Sequence, residues 1–72
     1  MKFNEWLKSE REKRAMTQMQ FAIFVGLSVP VIRSFEKGEK TPSPASIHLI
    51  AGALKTPIKK ITEMIKFQKE GV

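Results

Sequence analysis

Few side chains in this sequence are able to make or break covalent bonds. There is no cysteine and one histidine, His48, which has no Asp or Glu at ligand spacing beside it. A metal site is therefore not expected. No nucleophile, base and acid stand together, and no glycine-rich phosphate loop is present, so an enzyme is not expected and no cofactor is implied. The chemistry on offer is ionic: 13 Lys and Arg against 7 Asp and Glu leave a net charge of +6. A small basic chain attracts polyanions, and nucleic acid is the commonest of these; a solvated basic surface is the plainer alternative.

Elements must be found to hold these cations in place. With 72 residues and 42% hydrophobic content, the chain is read as one domain, 1–72, with a compact core rather than a disordered segment. The uncharged stretch from Met16 to Ile32 is too short, and too interrupted by Gln18, Gln20, Gly26, Ser28 and Pro30, to cross a bilayer. No signal peptide is read at the N-terminus, and a cysteine-free chain suits a reducing compartment, so a cytoplasmic location is expected.

Caps and breakers divide the chain into five helices. Asn4 is read as the N-cap of a first helix reaching about Ala15, with Glu5 favoured by the helix dipole and Phe3, Leu7 and Arg11 on one face. Thr17-Gln18-Met19-Gln20 has the form of a capping box, and the helix it opens stops at Gly26. Ser28 caps a third helix with Pro30 in its first turn; that helix ends at Gly38. Ser43-Pro44 and Thr56-Pro57 open a fourth and a fifth, the last spanning about 57–70. Connections this short imply an all-α bundle. The expected core is Phe3, Leu7, Phe21, Ala22, Val25, Leu27, Ile32, Phe35, Ile47, Ile50, Ala51, Leu54, Ile58 and Ile61.

The segment from Thr17 to Gly38 (about 17–38) is the informative one. Two short helices cross steeply when a small residue lies at their contact and the turn can bend. Ala22 and Gly26 meet those needs, and Phe21, Val25, Leu27, Ile32 and Phe35 are spaced to bury the junction. With these residues, and with Thr17-Gln18, Leu27-Ser28, Glu36-Lys37-Gly38, Pro42-Ser43, Ile50-Ala51 and Ala53-Leu54 in matching places, the chain resembles the lambda-repressor-like (Cro/cI, XRE) helix-turn-helix family from about Phe3 to Ile61.

That resemblance implies a compact five-helix domain whose third helix enters the major groove of double-stranded operator DNA. Val29, Pro30, Val31, Arg33 and Ser34 then occupy base-facing positions, and Gln18, Ser28, Lys37, Lys40 and Thr41 occupy phosphate-facing ones. Arg11 and Glu36 match a salt-bridged pair that ties the first helix to the end of the third. A homodimer through the C-terminal helix, using Met64, Ile65 and Phe67, is the expected way to cover two half-sites.

Two departures from the family qualify this expectation. Base edges present hydrogen-bonding groups, yet the first three reading positions are Val29, Pro30 and Val31; only Arg33 and Ser34 can hydrogen-bond. Met19 and Ile23 stand where relatives carry water-facing polar residues, and with Val29 and Pro30 they form an apolar face of the kind that marks a protein partner. Phe24 extends that face, unless a shifted register buries Ile23 or Phe24 in the core. Two functions follow: a transcription regulator of a phage or bacterial repressor-type switch, or a modulator (antirepressor) that binds a partner repressor protein. The amphipathic basic run Ile58–Phe67 is also the pattern of a membrane-surface helix, but equally of one packed on a core, and no membrane partner is expected.

Overall fold

In a computed structural model, residues 1–70 are described, with side chains to Gln68; Gly71, which the sequence reading placed at the end of the last helix, lies outside the described residues. Five helices follow one another: α1 Phe3–Lys13, α2 Gln18–Val25, α3 Val29–Lys37, α4 Pro44–Leu54 and α5 Ile58–Glu70. α1 packs on α3 and α5, α2 on α3 and α4, and α4 on α5. This closes one core among all five helices.

Three of the five starts have a side-chain cap as local cause. The expected Thr56 cap of α5 is not made: Thr56 Oγ1 donates to the Leu54 carbonyl at 3.2 Å, and the helix begins at Ile58. Thr17 Oγ1 accepts from Gln20 N–H at 3.1 Å while Gln20 Oε1 accepts from Thr17 N–H at 2.9 Å, a reciprocal capping box. Ser28 Oγ accepts from Val31 N–H at 3.4 Å, and Ser43 Oγ from Ser46 N–H at 3.2 Å. α1 departs from expectation: its N-cap is Lys2, not Asn4. Phe3, fully buried, must sit inside the helix to reach the core, and Glu5 Oε1 accepts from Lys2 N–H at 3.2 Å. Asn4 instead ties three elements together. Its backbone N–H donates to Gln68 Oε1 of α5 at 2.7 Å, and its Nδ2 points to the Glu36 carbonyl of α3 at 3.5 Å.

The helix ends share one device, a residue in the left-handed region. Gly26 (φ 94°) and Gly38 (φ 76°) hold it freely, whereas Ala15 (φ 55°) and Lys55 (φ 51°) hold it with a Cβ. A lysine where a glycine would end α4 is expected to lose this cap; the structure shows Lys55 adopting it, with its N–H donating to the Ala51 carbonyl.

The core differs from expectation at both edges. Leu27 is half-buried, and Ile58 is 42% exposed because it starts α5 on the outer side. Trp6, Met64 and Ile65 are buried instead. Ile61, Met64 and Ile65 repeat at helical spacing and form the inward stripe of α5. This corrects the expected pairing surface: Met64 and Ile65 are consumed by the core, and of that set only Phe67, 53% exposed, remains outside. The amphipathic pattern of α5 is accounted for by this packing. Among the described residues no single helix is long and apolar enough to cross a membrane.

Candidate nucleic-acid interface

α2 and α3 meet at 106°, within the range that lets one helix brace another across a groove. The bend is possible because Gly26 takes a positive φ while the Gly26 and Leu27 N–H groups both reach the Ala22 carbonyl, at 2.8 and 2.9 Å. Phe21, Ala22 and Val25 of α2 and Ile32 and Phe35 of α3 are buried at and behind the junction.

With Ile32 and Phe35 turned inward, the opposite side of α3 presents Pro30, Arg33 and Lys37 to solvent, with Ser34 half-buried between them. These four lie at i, i+3, i+4 and i+7, one stripe of a helix. Ser28 is exposed at the start of α3, and Lys40 and Thr41 are exposed in the loop beyond Gly38. Of the expected DNA-facing residues, four thus share one face of α3, and three more are exposed beyond its two ends. The structure sets two others apart: Val29 and Val31 are half-buried and pack against the core, so they offer little side chain to a ligand.

The orientation of α3 is held from behind by a charged cluster. Arg11 donates from Nε to Glu36 Oε2 at 2.7 Å and from Nη2 to Glu36 Oε1 at 3.1 Å, a bidentate pair. Its side chain is 14% exposed and that of Glu36 5%. Arg11 Nη1 also donates to the Met16 carbonyl at 3.0 Å, which pins the turn between α1 and α2. The hydrogen bonds that Arg11 donates to Glu36 raise the Arg11 pKa above its ordinary value, and burial opposes this only in part. Gln18 joins the cluster, donating from Nε2 to Glu36 Oε1 at 3.2 Å. One of its two amide protons is therefore committed inside the domain, leaving one for a phosphate. Sequence reasoning missed this link, because nothing in local spacing relates residues 18 and 36.

The apolar face has changed membership. Ile23 is 76% exposed and Met19 63%, one turn apart on α2. Pro30 is exposed, but Val29 drops out by packing inward. Phe24 is 42% exposed and does extend the outer side of α2; its ring leans on Phe21 at a centroid distance of 6.3 Å and lies 5.9 Å below the Arg14 guanidinium.

Two helices crossing at this angle about a left-handed glycine, the second one braced from behind and open in front, define the helix-turn-helix class. Residues 7–61 match the helix-turn-helix family, and the chain belongs to it. Among curated relatives it is similar to the HTH-type transcriptional repressor RghR of Bacillus subtilis (strain 168), 41% identical over 56 residues, covering 76% of this chain and 42% of the relative. It is also similar to an uncharacterized HTH-type transcriptional regulator, RghRB, of the same organism, 35% identical over 60 residues, covering 82% of this chain and 43% of the relative. The chain spans less than half the length of both relatives.

Proposed function

We propose that the chain is a DNA-binding transcription regulator that acts at operator DNA in a repressor-type switch of a bacterium or phage. One observation carries this reading: Pro30, Arg33, Ser34 and Lys37 share an outward stripe of α3, with Ser28 at one end and Lys40 and Thr41 beyond the other. In this arrangement Pro30, Arg33 and Ser34 of the stripe meet base edges. Ser28, Lys37, Lys40, Thr41 and the remaining Gln18 proton meet phosphates. The excess of +6 supplies attraction, and two relatives named as a transcriptional regulator and a repressor support the biological role. Each neutralised phosphate releases counterions, so affinity falls with salt at a log–log slope of about −0.9 per contact. Titrating a DNA duplex at several salt concentrations tests it. Lys40→Ala reduces the slope by about 0.9 and weakens all sequences alike, whereas Arg33→Ala relaxes base preference. Binding that ignores salt, or ignores sequence, overturns the reading.

A second reading is favoured by a separate observation, the exposure of Met19 and Ile23 on a helix with no charged residue. In it, α2 and the neighbouring Pro30 dock on a partner repressor and block that protein's access to its operator, with burial of apolar surface at about 25 cal/mol per Å² as the driving force. Ile23→Glu then abolishes binding to the partner's DNA-binding domain in titration; unimpaired binding removes the surface from consideration. A homodimer on DNA, if formed through α5, rests on Phe67 without Met64 and Ile65.

A further inference from the structure

We infer that the half-site contains a guanine and, on a neighbouring base pair, a thymine whose methyl group packs against Pro30; this rests on the DNA-binding reading and deepens it. The argument begins with what the fold removes from α3. Of three apolar candidates in its first turn, Val29 and Val31 are packed against the core, so Pro30 alone presents an apolar surface outward. A proline ring has no donor or acceptor. Set against a base edge that offers hydrogen bonds, it leaves those groups dry and unpaired. The C5-methyl of thymine is the one major-groove feature it satisfies.

Arg33 is the next exposed residue on the stripe, and among the described residues it takes part in no salt bridge or side-chain hydrogen bond. By contrast, Arg11 and Arg14 are both committed, to Glu36 and Glu10. A free guanidinium fork matches two acceptors side by side, which guanine presents at O6 and N7; adenine and cytosine place a donor there. Pro30 and Arg33 are three residues apart, about 4.5 Å along a helix axis, close to the 3.4 Å rise between base pairs. The two side chains therefore address neighbouring pairs. Ser34 is half-buried and Lys37 sits about two turns beyond Pro30, at the C-terminal end of α3, where a flexible ammonium suits a phosphate. The readable code is short, two adjacent pairs.

The test starts with selection of bound duplexes from a random-sequence DNA pool by the full chain. A preferred sequence carrying thymine and guanine on neighbouring pairs is expected. In the selected duplex, replacing that thymine by deoxyuridine removes only the methyl and weakens binding about 4-fold. Replacing the guanine by 7-deazaguanine removes one of the two acceptors, about half of a bidentate pair's discrimination, and weakens binding roughly 2- to 12-fold. The 7-deazaguanine penalty disappears in Arg33→Ala and the deoxyuridine penalty in Pro30→Gly, with circular dichroism showing both variants helical. Duplex binding without these bases, or penalties that persist in the variants, overturns the inference while the DNA-binding reading stands. Failure to enrich or bind any duplex overturns both.

Discussion

Arg11 and Glu36, 25 residues apart in the chain, meet as a bidentate pair with a shortest contact of 2.7 Å behind α3. The pair fixes where α1 crosses the end of α3, and with Gln18 it reaches α2 as well. Its role is orientation more than net stability, because desolvation of two ions offsets much of their attraction. Breaking it from one side is another matter. Glu36→Gln leaves the Arg11 guanidinium poorly compensated at 14% exposure and is expected to cost about 3 kcal/mol in urea unfolding. Replacing both ions by apolar residues, Arg11→Met with Glu36→Leu, recovers most of that loss. A single variant as stable as the parent would show that Arg11 finds other compensation when Glu36 loses its charge.

Ala15 and Lys55 each hold a left-handed conformation with a side chain present. At Ala15 the motif is complete: Ala15 N–H reaches the Glu12 carbonyl and Met16 N–H the Arg11 carbonyl, at 2.9 and 3.2 Å. Glycine relieves the steric cost there, although it adds freedom to the unfolded chain. Ala15→Gly and Lys55→Gly are each expected to raise stability by about 0.5–1 kcal/mol. The check is the urea midpoint of each variant; a lower midpoint would mean that unfolded-state entropy outweighs the relieved strain.

Ile23 and Val29 separate surface from core within the apolar face that the sequence suggested. Ile23→Glu places a charge in water and is expected to change stability by no more than about 0.5 kcal/mol. Val29→Glu puts a charge where the side chain packs on the core, and about 1–3 kcal/mol is expected to be lost. Thermal melts of the two variants decide this, and equal melts would contradict the burial difference.

Glu10 makes the stability of α1 sensitive to acid. Burial pushes its carboxyl upward, but hydrogen bonds and attraction from Lys13 and Arg14 outweigh this and leave its pKa below the ordinary value. A group lowered in the folded state stabilises above its unfolded pKa and loses that contribution as pH falls through the folded value. The loss therefore falls below the ordinary glutamate value of about pH 4.3. Comparing urea midpoints at pH 7 and pH 3, Glu10→Gln is expected to show a smaller drop than the parent chain. An equal drop would assign the acid sensitivity to other carboxylates.

The sequence by itself determined the five helices and most of their ends, because these are set by neighbours. A cap hydroxyl three residues before an amide, a proline in a first turn and a glycine at a stop act within one turn of chain, whatever the rest does. So Thr17, Ser28, Ser43, Gly26 and Gly38 were legible, and with them the helix-turn-helix. Local rules misplaced the cap of α1 at Asn4, since the burial of Phe3 against Phe35 and Trp6, and the bonds from Asn4 to Gln68 and Glu36, depend on distant elements. The same holds for the site. Periodicity offers several faces for one helix, and only packing selects among them. Tertiary structure turned Val29 and Val31 toward the core, drew Met64 and Ile65 away from a pairing surface, and committed one Gln18 proton to Glu36. Pro30 and Arg33 were left facing out because the inward places on α3 were taken by Ile32 and Phe35, and a close-packed core admits no more.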